Sequence, residues 1–181
     1  MSKTTIPTAG IADSAISTAK IADDAVTAAK AGFSVGKIGQ VVTAQPVTSS
    51  FATSITSYTD VTNLEASITP SATSSKVLVL AYLQLYNAGS NQGNTARLAI
   101  LRGSTIVNTF QSSSYDQGGN GVQYANTTTM SFLDSPSSSS SVTYKIQIKL
   151  LYGSSASIQA GSTSGSDGDS TPTITLLEVL A

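Results

Sequence analysis

The stretch Val142-Thr-Tyr-Lys-Ile-Gln-Ile-Lys-Leu150 decides the fold class. Val142, Tyr144, Ile146, Ile148 and Leu150 alternate with Thr143, Lys145, Gln147 and Lys149. A period of two puts every apolar side chain on one face and every polar one on the other, the pattern of a half-buried antiparallel strand. Working outward, Lys76–Tyr86 (KVLVLAYLQLY) is apolar on both faces, and Thr173–Leu180 (TITLLEVL) is similar. Arg97–Leu101 and Thr105–Phe110 flank Arg102-Gly103-Ser104, a hairpin signal. Further strands are expected over 38–44, 64–68, 122–132 and 156–160. Between them lie turn-rich stretches at 87–94, 115–121, 135–141 and 161–171. Eight or nine strands over about 145 residues with no helical period indicate an antiparallel β-sandwich or jelly roll.

The two-sided strands carry a further implication. A two-sheet sandwich buries only its inner faces, so the outer face bearing Leu78, Leu80, Tyr82 and Tyr86 needs a cover. The β region has no helix to supply one, and a neighbouring subunit is the simplest source. The closing strand's Leu177 and Val179 are expected at the same interface.

The first 36 residues read differently. Ile11–Lys20 (IADSAISTAK) is followed directly by Ile21–Lys30 (IADDAVTAAK), and beneath this ten-residue unit Ile6, Ile11, Ile16, Ile21 and Val26 recur every five residues. A step of five spreads around a helix and alternates faces in a strand. A weaker heptad-like stripe runs through Ile11, Ala15, Ala19, Ala22, Val26 and Ala29. So short an alanine-rich segment does not hold a helix alone in water. It must bury its Ile residues against copies of itself, against another protein, or on the domain. The expected organisation is therefore a stalk or docking segment over 1–36 and a β-sandwich head over 37–181.

Composition narrows the chemistry. The 181 residues contain no Cys and no His, which removes Cys nucleophiles, Ser-His-Asp relays, disulfides and metal sites built on Cys or His. Nine Lys and Arg against ten Asp and Glu give a net charge of −1, unlike a protein driven onto nucleic acid by phosphate neutralisation. Charged residues make up 10 %, so the surface must hydrate through hydroxyls and amides; Ser and Thr together are roughly 30 %, well above ordinary usage. No apolar run reaches the length of a membrane span, and the N-terminus lacks the apolar core of a secretion signal.

Four features could carry chemistry. Asp167-Gly168-Asp169 offers two carboxylates one residue apart but lacks the spaced ligands of a Ca²⁺ loop, and reads as a solvated hairpin tip. Asp60, Glu65, Asp116, Asp134, Asp167, Asp169 and Glu178 are the acidic residues from which a glycosidase pair would have to come; Asp60 and Asp134 sit at expected strand ends, where Asp caps turns. Tyr115, Asp116, Gln117, Asn120, Gln123, Tyr124 and Asn126 gather stacking rings and hydrogen-bonding side chains in one loop and the strand after it, a composition suited to a saccharide. Asn126-Thr127-Thr128 matches a glycosylation sequon, which has no meaning without secretion.

The tandem IADxAVTxAK units resemble the shafts of bacteriophage fibre proteins. Residues 57–80 (SYTDVTNLEASITPSATSSKVLVL), 101–107 (LRGSTIV), 131–136 (SFLDSP) followed by 142–149 (VTYKIQIK), and the closing TITLLEVLA resemble a module at the C-termini of such fibres. The resemblance implies a trimeric jelly roll similar in outline to the tumour-necrosis-factor head, with the first long strand and the last strand near the three-fold axis. It implies a non-enzymatic structural protein of the virion, without cofactor or metal, assembled in the host cytoplasm. Residues 1–36 would grip another virion protein, and the head would be displayed to host-surface saccharide. Only about 36 residues precede the β region, fewer than the docking domain usual in tail fibres. A capsid head fibre or decoration protein with no receptor is thus one alternative, and a polysaccharide depolymerase another.

Overall fold

A computed structural model of the protein describes residues 38–45, 51–53, 56–86, 93–115, 125–152, 156–159 and 171–180. The chain divides into two units, Met1–Lys37 and Ile38–Ala181, and every described residue lies in the second. The repeat residues Ile6, Ile11, Ile16, Ile21 and Val26 lie outside the described residues.

The described residues form ten strands and no helix: β1 (Ile38–Ala44), β2 (Phe51–Thr53), β3 (Thr59–Ile68), β4 (Lys76–Tyr86), β5 (Gly93–Arg102), β6 (Thr105–Tyr115), β7 (Ala125–Asp134), β8 (Val142–Tyr152), β9 (Ala156–Gln159) and β10 (Thr173–Val179). All pairings are antiparallel. One sheet runs β1-β10-β4, with β7 on the far side of β4 and the short β9 and β2 continuing the β10 and β1 side; the other runs β3-β8-β5-β6. The strands are thus divided between a six-stranded and a four-stranded sheet, with the last strand inserted between the first and the fourth. That path is a jelly roll.

The alternation in β8 is realised in full. Tyr144, Ile146, Ile148 and Leu150 are buried, while Lys145, Gln147 and Lys149 are half-exposed. They meet Val77, Val79, Ala81, Leu83, Met130, Ile174 and Leu176 of the first sheet, with Leu64, Ile68, Leu98 and Ile100 beside them, in one core. The β5–β6 hairpin turns on two residues, Gly103 and Ser104, since Arg102 pairs with Thr105. Gly103 has φ of +58° and its amide donates to Thr143 O at 2.8 Å. A tight hairpin requires that left-handed backbone, which glycine adopts without steric cost.

Several expectations are corrected, and β5 and β6 also run longer than expected, over Gly93–Arg102 and Thr105–Tyr115. β2 was not anticipated, because three residues carry no period. β3 begins at Thr59 rather than Leu64: between Asp60 and Glu65 it spends five residues where β8 spends two, with Asn63 at φ 61°, and this bulge breaks the alternation. β7 runs to Asp134 rather than Phe132, which places Leu133 on the outer face and Asp134 at the end of the inner one.

Candidate functional site

The register of the first sheet assembles its outer face row by row, because directly paired residues share a face. Val41 of β1 faces Leu177 of β10, Leu177 faces Leu78 of β4, and Leu78 faces Leu133 of β7. This is an unbroken apolar row across all four strands. Its ends are open: Val41 is 57 % and Leu133 46 % exposed. Leu78 and Leu177 in the middle are half-buried by their neighbours. Toward the chain's entry into β1, Val179 lies opposite Ile38 and Lys76, and Ser74, Lys76, Leu133, Val179 and Leu180 line a shallow depression of about 340 Å³.

Toward the other end the face becomes hydroxylic. Thr43, Thr175, Leu80 and Ser131 form the next row, then Thr173, Tyr82 and Thr129. Leu80, Ala81, Tyr82, Thr129, Thr173 and Thr175 line a second hollow of about 130 Å³. Among the described residues of this face Lys76 is the one charge.

The expected interface residues therefore fall together. Leu78, Leu80, Tyr82, Leu177 and Val179 share this face; Tyr86 is the last residue of β4, paired with Ala125 and Ser157. Sequence reading missed Val41 and Leu133. Each sits beside an inward-facing apolar neighbour, Val42 or Phe132, in a mixed strand, and only the register brings it into the row. The described structure leaves the face uncovered on its outer side.

The inner side of the same sheet ends in a polar layer that the sequence did not announce. Glu178 of β10, Val77 of β4 and Asp134 of β7 form one inward-facing row, so β10 is not apolar throughout its inner face. Glu178 is 1 % exposed. Its Oε1 accepts the Ser71 amide and the Ser71 hydroxyl, each at 2.6 Å, and its Oε2 accepts Gln40 Nε2 at 2.9 Å. Gln40 Nε2 also donates to Thr69 O at 2.7 Å. The carboxylate thereby ties β1 and the β3–β4 connection to β10. The Ser71 hydroxyl above all, then Gln40 and the Ser71 amide, hold its pKa down at about 2. Gly39 makes room for it: a Cβ there would lie 2.8 Å from Glu178 Oε2 and 2.8 Å from Leu180 Cδ2.

Asp134 plays the corresponding part between the two sheets. Its Oδ2 accepts the Tyr144 hydroxyl at 2.6 Å and Arg102 Nη1 at 2.9 Å, and Arg102 also reaches Ser135 O at 3.3 Å. Burial first, and then the bond to Asp134, raise the Tyr144 pKa well above its ordinary value. Asp134 is thus a cross-sheet strut instead of a turn cap. Asp60, the other residue read as a cap, is exposed and bonded by Lys145 Nζ at 2.9 Å and Gln147 Nε2 at 2.7 Å, and these partners, Lys145 first, lower its pKa.

These carboxylates are each engaged by protein donors, and among the described residues no group of three acidic side chains is placed to hold a metal. Tyr115 is the last residue of β6, opposite Gly93. The rest of the saccharide candidates before Ala125, namely Asp116, Gln117, Asn120, Gln123 and Tyr124, lie outside the described residues, as do Asp167 and Asp169. Also among the described residues, no helix is long and apolar enough to cross a membrane.

No family model and no curated protein matches the chain. Among solved structures it is similar to the Eiger TNF from S. frugiperda, at 11 % identity over 80 % of this chain and 94 % of that one, with a TM-score of 0.44. It is also similar to a chain of infectious bursal disease virus, Gt strain, at 12 % identity over 78 % of this chain, with a TM-score of 0.37; it spans 38 % of that chain's length. The VP2 subviral particle of the same virus gives 14 % identity over 78 % of this chain and 37 % of that one, with a TM-score of 0.35.

Proposed function

We propose that the protein is a non-enzymatic structural component of a bacteriophage virion. In this reading it is a fibre whose head assembles as a homotrimer through the outer face of the β1-β10-β4-β7 sheet. Residues 1–36 anchor it to another virion protein, and the head is displayed for attachment to host-surface saccharide. The observation that carries the reading is the Val41–Leu177–Leu78–Leu133 row. Four strands about 4.8 Å apart and seven residues at about 3.3 Å each make a face on the order of 400 Å². The apolar row occupies part of that face and is rimmed by hydroxyls, and exposed apolar surface with a polar rim marks interaction sites. With one charge and two rows of hydroxyls, the face suits a second neutral β surface better than a charged partner. The decapeptide repeats supply the virion part of the reading through their resemblance to fibre shafts.

The test is solution mass by light scattering. The full chain is expected at three times its 18.4 kDa. Leu78→Arg places a guanidinium in the middle of the row and is expected to give a folded monomer. A wild-type monomer at micromolar concentration overturns the assembly, and a trimer indifferent to Leu78→Arg moves it off this face.

A further inference from the structure

The outer face of the second sheet is charged, and its charges are unevenly matched. At one end Lys145 is paired with Asp60 at 2.9 Å and lies opposite Glu65. At the other end Arg97 of β5 stands directly opposite Lys149 of β8, and on its other side opposite Gln111 of β6. Among the described residues neither Arg97 nor Lys149 has an ion-pair partner. Directly paired residues of antiparallel strands have Cα atoms about 5 Å apart, and like charges so placed disfavour the sheet. The fold holds them there nonetheless. The Lys149 ammonium sits 4.6 Å from the centroid of the Tyr58 ring, and Arg97 Nη2 reaches Gln111 Oε1 at 3.5 Å. Both cations are thus oriented by neutral partners, and among the described residues no carboxylate pairs with either.

Two adjacent cations, one of them a planar fork of donors, match a carboxylate or phosphate. The surrounding groups are neutral and amphipathic. Gln111 adds an amide. Thr95 and Ser113, two residues further along, share a 3.2 Å hydroxyl contact. Tyr152, paired with Thr95, is 69 % exposed. Aromatic faces, amides and hydroxyls around a paired cation suit a sugar ring carrying an acid. The −1 net charge and the mere pair of cations argue against a polyphosphate track.

We propose that Arg97 and Lys149, with Tyr58 and Gln111 beside them, bind the carboxylate or phosphate of an anionic sugar unit in a cell-surface polysaccharide. This rests on the attachment reading above and gives it a ligand class and a place on the opposite sheet from the assembly face.

The full chain and its Arg97→Gln/Lys149→Gln variant are to be titrated with oligogalacturonate, poly(glycerol phosphate) and neutral dextran at 50 and 150 mM salt. The wild type is expected to bind at least one of the two anions, more weakly at the higher salt, and to leave dextran unbound. The variant is expected to lose at least ten-fold in affinity while its melting temperature stays equal or rises, because a like-charge pair has been removed. Failure to bind either anion, binding unchanged in the variant, or equal affinity for single-stranded oligo(dT) would each overturn the assignment. The two readings fail separately. A monomer that binds the anions through Arg97 and Lys149 overturns the fibre assembly alone, and a trimer indifferent to both anions overturns this site alone.

Discussion

Neutralising Glu178 tests the polar layer most directly. The carboxylate receives three hydrogen bonds, two from Ser71 and one from Gln40, while 1 % exposed. In Glu178→Gln one oxygen survives. If it faces Ser71, the new amide meets Gln40 Nε2, donor against donor. Gln40 can relieve this by turning its amide, but it then gives up its 2.7 Å bond to Thr69 O. One hydrogen bond is lost by either route, and the charge assistance of the others goes with it, for a cost of about 1–2 kcal/mol. Glu178→Ala strands all three donors, with some relief from water entering beneath the exposed Ser71 segment, and is expected to cost about 3–4 kcal/mol.

The same carboxylate sets a pH dependence. Its folded pKa, about 2, lies below its ordinary 4.5. A depressed acid stabilises the fold above its unfolded pKa, and that contribution fades as pH falls from about 4.5 toward 2. Solvent beside the exposed Ser71 segment screens the group, so the linked stability is about 2 kcal/mol, somewhat below the full shift. The assay is urea unfolding at fixed chain concentration, since the proposed assembly would make stability concentration-dependent. It compares wild type and Glu178→Gln at pH 7 and pH 3; the difference removes other carboxylates such as Asp60. The gap between the two proteins should shrink as pH falls. A variant within 0.5 kcal/mol of wild type at pH 7, with parallel pH curves, would refute the reasoning.

Three further outcomes are expected. Gly39→Ala pushes a methyl against Glu178 Oε2 and Leu180 Cδ2, each at 2.8 Å, and should cost about 1–3 kcal/mol by unfolding, with the loss reduced when it is combined with Glu178→Ala. Tyr144→Phe removes the 2.6 Å bond to Asp134 inside the core and should cost about 1–2 kcal/mol; because Tyr144 is held un-ionised, the variant should leave the phenolate absorbance titration around pH 10 unchanged. Gly103→Ala forces a side chain into φ +58° with open space around it, so it should cost about 1–2 kcal/mol through backbone strain alone, leaving solution mass untouched.

The alternation in Val142–Leu150 and the two-sided Lys76–Tyr86 were enough for the β class, for the inner face of β8 and for most of the outer-face residues of β4 and β10. Period two is a local property, and each strand declares its own two faces. What the sequence left open is what depends on register. Val41 and Leu133 do not stand out next to Val42 and Phe132 until β1-β10-β4-β7 pairing sets them in line with Leu177 and Leu78. Arg97 and Lys149 are 52 positions apart, and scattered charge becomes an unmatched pair only when β5 lies beside β8. Asp134 read as a turn cap at a strand end, and Glu178 as one acid within an otherwise apolar closing strand. The jelly-roll path closes the end of the core over them and supplies Ser71, Gln40, Tyr144 and Arg102 as partners. Periodicity along the chain therefore determined which side of each strand is buried. The crossing of distant strands decided which residues meet, because hydrogen-bonded partners in a sheet are selected by topology and not by neighbourhood in sequence.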